Sequence, residues 1–487
     1  MDKQMPKNWV ETCLGNLAQV QSGGTPSRSN KDYWNGNIPW VKISDIKEIY
    51  VDETTEFITE EGLKNSSARI FPKGTILFTI FATLGKIGIL NIDAATNQAI
   101  AGITPSKFID DKYLTYSLID LSNSISEYGK GVAQKNINQA ILKDTLIPLP
   151  PLTEQNRIVA KLDTLFAQLE TIKTSMEKIP VLLKNFRQQV LTQAVTGKLT
   201  EEWRKGKDLE SGEDFLKRVI KLRKEKTFRK LPGLEYKMLD HPYKVDESWT
   251  FGLLQNFGEL TRGKSKHRPR NDEKLFGGDF PFIQTGEISR SNGLITNYKN
   301  TYSEFGLAQS RLFPKGTLCI TIAANIAETG ILDFDACFPD SVVGYLPFEN
   351  SYSSKFAMFY FNTIQQDLEH YAPATAQKNI NLGILFDVAF PVPPLEEQQE
   401  IVSRVESLFA KADAIEKQYE TLKQKIDTLP QAILHKAFKG ELTEQLDSDG
   451  DARELLKEIQ ELKNATKVTK NVKLEKLKSF KEKVKLS

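Results

Sequence analysis

Phe71-Pro-Lys-Gly-Thr75 returns as Phe313-Pro-Lys-Gly-Thr317, and the reading of the chain begins with that recurrence. At the same spacing Thr79-Ile80 reappears as Thr321-Ile322, Gly88-Ile-Leu90 as Gly330-Ile-Leu332, and Asp93-Ala94 as Asp335-Ala336. Upstream, Ile38-Pro-Trp-Val-Lys42 pairs with Phe280-Pro-Phe-Ile-Gln284. Downstream, one residue later in register, Ala133-Gln-Lys-Asn-Ile-Asn138 pairs with Ala376-Gln-Lys-Asn-Ile-Asn381. Order is kept along nearly the whole chain, so the protein is an internal duplication. In each copy Pro-Lys-Gly is a turn signal opening a short β-branched run, Thr75–Ile80 and Thr317–Ile322, and a helical stretch follows near Lys112–Tyr128 in the first. This predicts an α+β recognition domain with a mixed or antiparallel sheet, present twice.

A different period follows each domain. Apolar residues at Ile158, Leu162, Leu165, Leu169, Ile172, Met176, Ile179, Leu183, Phe186 and Val190 alternate steps of four and three, the seam of a coiled coil. Ile401, Val405, Leu408, Ala412, Ile415, Tyr419, Leu422, Ile426, Leu429 and Ile433 repeat the pattern. Both helices start after a Pro-Pro, and Pro180 and Pro430 are expected to kink or restart them. Two seams of equal length in one chain favour packing of the two helices on each other, antiparallel, over a separate dimerisation coil. The boundaries read as a first domain 1–152, first helix 153–204, connector 205–245, second domain 246–394, second helix 395–446 and basic tail 447–487. A helix from Ile158 to Val190 would be roughly 50 Å long at about 1.5 Å per residue, one or two turns of duplex DNA.

With 487 residues, 26% charged and a net charge of +2, the chain has the composition of an ordinary soluble globular protein. Its start lacks the apolar core of a signal, and Thr75–Leu90 is interrupted at Lys86, so a cytoplasmic protein without a membrane span is expected. Cys13, Cys319 and Cys337 form no CxxC pair, and His241, His267, His370 and His435 have no metal-ligand spacing. Gly258-Glu-Leu-Thr-Arg-Gly-Lys-Ser265 fits the phosphate-cradling GxxxxGK[ST] pattern, but Pro269 would break the helix it needs. That match reads as accidental, and no catalytic or metal site is assigned. A nucleotide hydrolase using Lys264 and a coiled-coil scaffold for other proteins stand as the competing readings.

The residues also carry a resemblance. Ile147-Pro-Leu-Pro-Pro-Leu-Thr-Glu-Gln155 runs into the helix bearing Leu165-Phe-Ala167, and Phe390-Pro-Val-Pro-Pro-Leu-Glu-Glu-Gln398 into that bearing Leu408-Phe-Ala410. Gly197-Lys-Leu-Thr-Glu201 and Gly440-Glu-Leu-Thr-Glu444 match at the helix ends, as do Asn8-Trp9 and Ser248-Trp249 at the domain starts. The chain resembles the specificity subunits of type I restriction–modification systems. That resemblance implies two target-recognition domains reading a bipartite double-stranded DNA target, and assembly with two methyltransferase subunits and with restriction subunits. The cofactors it implies, S-adenosylmethionine, ATP and magnesium, belong to those partners and not to this chain.

Base edges are read mostly by Arg, Lys, Asn and Gln, and phosphates by cations and backbone donors. In the first domain the expected DNA-binding residues are Gly23, Gly24, Thr25 and Arg28 of a Gly-rich loop, Lys42 and Ser44 at a strand end, and Lys86 in a Gly-flanked turn. In the second they are Arg262, Lys264, Lys266, Arg268 and Arg270, with Gln284 and Asn325. The loop 262–270 is the strongest candidate, because six basic or potentially basic side chains repel one another unless an anion is near. Lys135 and Lys378 lie in the stretch common to both copies, which suits phosphate holding or helix capping with Asn138 and Asn381 rather than discrimination.

Overall fold

A computed structural model of the chain describes residues 5–81, 83–128, 138–226, 243–323, 325–348, 352–370, 380 and 382–465. It divides into two compact units, Met1–Met176 with Thr421–Ser487, and Glu177–Glu420.

In the first unit Ala18–Ser22, Ile100–Pro105, Ile76–Thr79, Ile87–Leu90 and Tyr50–Val51 form a five-stranded sheet in that order. A second sheet orders Phe57–Ile58, Trp34–Val41, Ala94–Thr96 and Ile70–Phe71. Most pairings are antiparallel, but Trp34–Val41 runs parallel to Ala94–Thr96 and Tyr50–Val51 to Ile87–Leu90. The sheets are therefore mixed, as the sequence suggested. Buried Ile76, Phe78, Ala101 and Ile103 pack with Tyr113, Leu114 and Leu118 of the helix Asp111–Tyr128. The Pro-Lys-Gly turns are where glycine is required: Gly74 and Gly316 both sit at φ +86, which a side chain disfavours.

The second unit repeats this. Gly258–Arg262, Val342–Pro347, Leu318–Thr321, Thr329–Leu332 and Leu294–Ile295 make its five-stranded sheet. Asn300–Tyr302, Phe276–Phe282, Ala336–Cys337 and Leu312–Phe313 make the four-stranded one.

The first long helix is assigned as Leu152–Met176 and Ile179–Val195, and the second as an unbroken Leu395–Phe438. The two prolines thus differ. Pro180 falls in the first turn of a new helix, where its missing N–H has no partner to lose. Pro430 lies inside a helix that continues through it, at the cost of one i→i−4 bond, so the helix is not restarted there. Of the second helix, 395–420 belongs to the second unit and 421–438 to the first. Within the second unit the helical segments run antiparallel. Arg187 reaches Asp413 and Glu416 at 2.6 and 2.8 Å, Arg404 donates to the Leu199 carbonyl at 3.0 Å, and Thr200 to Glu397 at 2.6 Å. Only parts of the seams are covered: Ile401, Val405 and Ala412 are buried, whereas Ile172, Ile415, Leu422 and Leu429 stay 38–50% exposed.

Each domain is closed by the tail of the other copy's helix, through a buried glutamate. Glu154 accepts from Trp9 Nε1 at 2.8 Å, Gln445 Nε2 at 2.6 Å and Thr443 Oγ1 at 3.3 Å. Glu397 accepts from Trp249 Nε1 at 3.0 Å, Thr200 Oγ1 at 2.6 Å and the Arg204 guanidinium, which also meets Asp246 at 2.6 Å. The neighbouring glutamines clamp the turns: Gln155 donates to the Pro150 carbonyl at 2.9 Å and Gln398 to that of Pro393 at 3.1 Å. The Trp, Glu-Gln and Gly-x-Leu-Thr motifs are thus parts of one clasp, built twice.

The repeat also runs further than the sequence motifs. The helix Gly212–Lys226 packs Phe215, Leu216, Val219 and Ile220 on the second domain, with Gly212 N bonded to the Ser248 carbonyl at 2.8 Å. A helix over 452–465 packs Ala452 and Ile459 on the first, with Ala452 N bonded to the Asn8 carbonyl at 2.9 Å. The helix 212–226 of the connector and the helix 452–465 at the start of the tail are therefore equivalent elements. Residues 466–487, most of the Lys-rich end, lie outside the described residues.

Candidate nucleic-acid interface

In the first domain the loop after Ala18–Ser22 crosses its own protein. Gly23 N bonds the Ile100 carbonyl at 3.0 Å and Gly24 N that of Thr96 at 2.8 Å. A Cβ on Gly23 would lie 2.1 Å from Thr96 Oγ1, and one on Gly24 2.3 Å from the Ser67 carbonyl carbon. The close approach these glycines permit is to the protein's own Thr96 and Ser67. Thr25 is tied to Gln98 through its hydroxyl.

Arg28 is the centre of a compact group. Its guanidinium lies 3.7 Å over the Trp34 ring and 4.9 Å from that of Trp40. The two indoles meet edge-on at 5.1 Å and are fixed by Trp34 Nε1 to the Ser27 carbonyl at 3.1 Å and Trp40 Nε1 to that of Gly24 at 3.0 Å. Arg28 pairs with Glu56 at 2.5 Å, and Lys42 pairs with the other oxygen of the same carboxylate at 2.7 Å. Burial would raise the Glu56 carboxyl, but the bonds and charges of Lys42 and Arg28 prevail and hold it below its ordinary value. Two cations around one carboxylate leave one positive charge on an aromatic floor. Ser44 is exposed on the turn Ile43–Asp45 beside it. Lys86 lines another hollow, with Lys47, Ser122 and Asn123.

In the second domain part of the charge of the loop 262–270 is met by the protein's own carboxylates. Arg270 Nη2 donates to both Asp340 oxygens at 2.9 Å, and Arg262 donates to the Asp340 carbonyl. Arg268 folds back onto the carbonyls of Ser265 and His267 at 2.6 and 2.8 Å. The His267 ring lies 2.8 Å from Asp272 and holds that carboxyl below its ordinary value. The backbone is pinned too: Lys266 N and His267 N both donate to Gln309 Oε1, and Ser310 donates to the Lys264 carbonyl. Asp340 and Asp272 thus offset part of the loop's positive charge.

Arg270 and Gln284 line one cleft of about 380 Å³, together with Ser265, Arg290, Lys299 and Tyr302. Phe282 and Tyr302 stack at 4.1 Å in its wall. Gln284 precedes the helix Thr285–Ser289 and donates its N–H to Glu287 at 3.1 Å. Asn325 is engaged by Ser289 at 3.3 Å and Glu328 at 3.2 Å. Arg28 with Lys42 and Arg270 with Gln284 thus occupy matching positions of the repeat, and in each copy the fold brings the two together. Glu56, Trp34, Trp40, Asp340, Arg290 and Lys299 were not singled out from the sequence. The signal available was the aromatic pair of Trp34 and Trp40, repeated as Phe276 and Phe282.

The phosphate-loop pattern has its first five residues in the strand Gly258–Arg262 rather than in a loop, and the next helical element is the single 3-10 turn Glu273–Leu275. No helix N-terminus stands at Lys264 to receive a phosphate. Lys135 and Lys378 lie outside the described residues, as does Asn381. Asn138 is a helix cap, accepting from Ala140 N and Ile141 N at 2.9 Å. Among the described residues no cluster of three or more metal-ligating side chains gathers, and no helix is long and apolar enough to cross a membrane.

Two copies of a mixed-sheet domain, each with a charged group at a matching place and each clasped by a long helix, define a duplicated recognition protein. Residues 6–181 and 246–424 match the model of the type I restriction modification DNA specificity domain, and the chain belongs to that family. It is 28% identical over 453 residues to the type I restriction enzyme EcoBI specificity subunit of Escherichia coli, covering 90% of this chain and 87% of that one. It is also 28% identical to the EcoKI specificity subunit of Escherichia coli K12, with 91% of each covered. The crystal structure of the HsdS subunit from Thermoanaerobacter tengcongensis shares the fold, with a TM-score of 0.61 at 18% identity, over 90% of this chain and 98% of that one.

Proposed function

We propose that this chain is the DNA-recognition subunit of a type I restriction–modification complex, with one half of a split target read by each domain. The observation that carries this is that the same place in two copies of one fold holds different chemistry. Arg28 sits on indoles and shares Glu56 with Lys42 in the first, and Arg270, Gln284, Arg290 and Lys299 surround a cleft in the second. Two readers of unlike chemistry suit two unlike half-sites.

In this reading the chain is not itself catalytic. Methyl transfer and cleavage belong to two methyltransferase subunits and to restriction subunits, which bring S-adenosylmethionine, ATP and magnesium, and the complex works on cytoplasmic DNA. Of the sequence-chosen residues, Arg28, Lys42, Ser44 and Gln284 are proposed at the base or backbone contacts of the two sites, and Arg270 as the residue that positions the loop beside them. Lys86, Arg262, Lys264, Lys266 and Asn325 take supporting positions around them.

The test is methylation of random-sequence duplex DNA by the chain with and without a type I methyltransferase subunit, followed by mapping of the modified bases. The expected result is a split motif that appears only with the partner, and whose one half alone changes when residues 8–150 are exchanged. Methylation by the chain alone would overturn the non-catalytic assignment. No methylation with a partner proven active beside another specificity subunit would overturn the whole reading in favour of a scaffold.

A further inference from the structure

The two sites differ in what they leave unspent. In the first domain the carboxylate of Glu56 is shared by Arg28 and Lys42 at 2.5 and 2.7 Å, so both cations are engaged within the site although one positive charge is left over. In the second domain Arg270 is committed to Asp340 by two bonds of 2.9 Å, but Arg290 is not held in the same way. Its approach to Glu287 is 3.7 Å, longer than a hydrogen bond, and its side chain is 62% exposed. Glu287 is itself engaged by the Gln284 N–H at 3.1 Å and is 10% exposed, so little of the cleft's negative charge faces outward. Lys299 stands exposed on the same rim. A second hollow, lined by Leu294 and Tyr298, shares Arg290 and Lys299 with the first, so these two cations border both.

The concavity is rich in donors, and the Arg290 guanidinium adds a planar fork that matches paired acceptors on a base edge. Among base edges in the major groove, guanine alone offers two adjacent acceptors, O6 and N7, to the fork of a guanidinium. We propose that the groove of the second domain reads a guanine in its half-site, with Arg290 as the base-reading side chain and Lys299 on the adjoining phosphate. Arg270, locked to Asp340, positions the loop and does not read. This rests on the functional reading above and names the residue that carries its second half.

The experiment compares the full-length chain with Arg290→Ala, Arg290→Lys and Lys299→Ala, each with the methyltransferase subunit on random duplex DNA. Arg290→Ala is expected to relax one guanine of one half-site by roughly tenfold while the other half is kept. Arg290→Lys, which keeps the charge without the fork, is expected not to restore the preference. Lys299→Ala is expected to weaken all targets alike and to lower the salt dependence. A wild-type split motif that is unchanged in Arg290→Ala, or merely weakened evenly, would overturn the inference while leaving the functional reading in place. Absence of any motif with the wild-type chain and a proven partner would overturn both.

Discussion

Glu154 and Glu397 are the same residue of the repeat in the same clasp, yet they are satisfied by different means. Both are fully buried, and both accept from an indole N–H and a threonine hydroxyl. Glu397 has in addition the guanidinium of Arg204, itself held by Asp246, whereas Glu154 has the neutral amide of Gln445. A buried carboxylate needs its lone pairs filled, and charge pairing is one way to do it but not the only one. The comparison shows that the geometry of the clasp is what the duplication preserved, and that the electrostatics around it were left to vary.

The sharpest way to break this comparison is Arg204→Ala, which strands Glu397 in the second unit without its cation. A loss of about 3–5 kcal/mol of stability in that unit is expected, because an uncompensated buried charge costs more than the pair contributed. Denaturant unfolding followed through Trp249 would measure it, and a loss below about 1 kcal/mol would show that the guanidinium is incidental. Gln445→Ala should cost the first unit less, about 1.5–3 kcal/mol, since one hydrogen bond to a charged group is removed and the other two donors remain. Fluorescence of the first unit's tryptophans reports it, and a cost equal to that of Arg204→Ala would erase the distinction between the clasps. The smallest effect concerns the helices behind the clasps. Ser211 accepts from Asp214 N at 3.1 Å and Asp451 from Arg453 N at 2.8 Å, so each caps its helix. Ser211→Ala should cost about 1 kcal/mol in the second unit's unfolding midpoint and nothing in the first.

The duplication and the long helices were legible because identical words recur in order and because apolar residues keep the heptad step. What the words were for was not legible. Nothing in a linear reading says that Thr443 and Gln445 serve Glu154 while Thr200 serves Glu397, since either tail could fill either clasp. The helices at 212–226 and 452–465 escaped because their repeat spacing shifts after Gly-x-Leu-Thr and few identities survive. The basic loop shows a related limit: Asp340, which meets Arg270, is distant in sequence and adjacent in space. The positions Arg28, Lys42, Arg270 and Gln284 could be chosen from residue type alone. Arg290 and Lys299 could not, because only the fold brings them to the wall that Phe282 and Tyr302 build.

The crossed closure has a consequence for how the protein is made. The second unit is one uninterrupted stretch, 177–420, and all of its parts have been synthesised once Glu420 has left the ribosome. The first unit is spelled at both ends of the message, and Glu154 waits for Thr443 and Gln445 through most of translation. The domain that emerges first is thus the last to be finished, and it must persist as an open, partly assembled body while its neighbour folds.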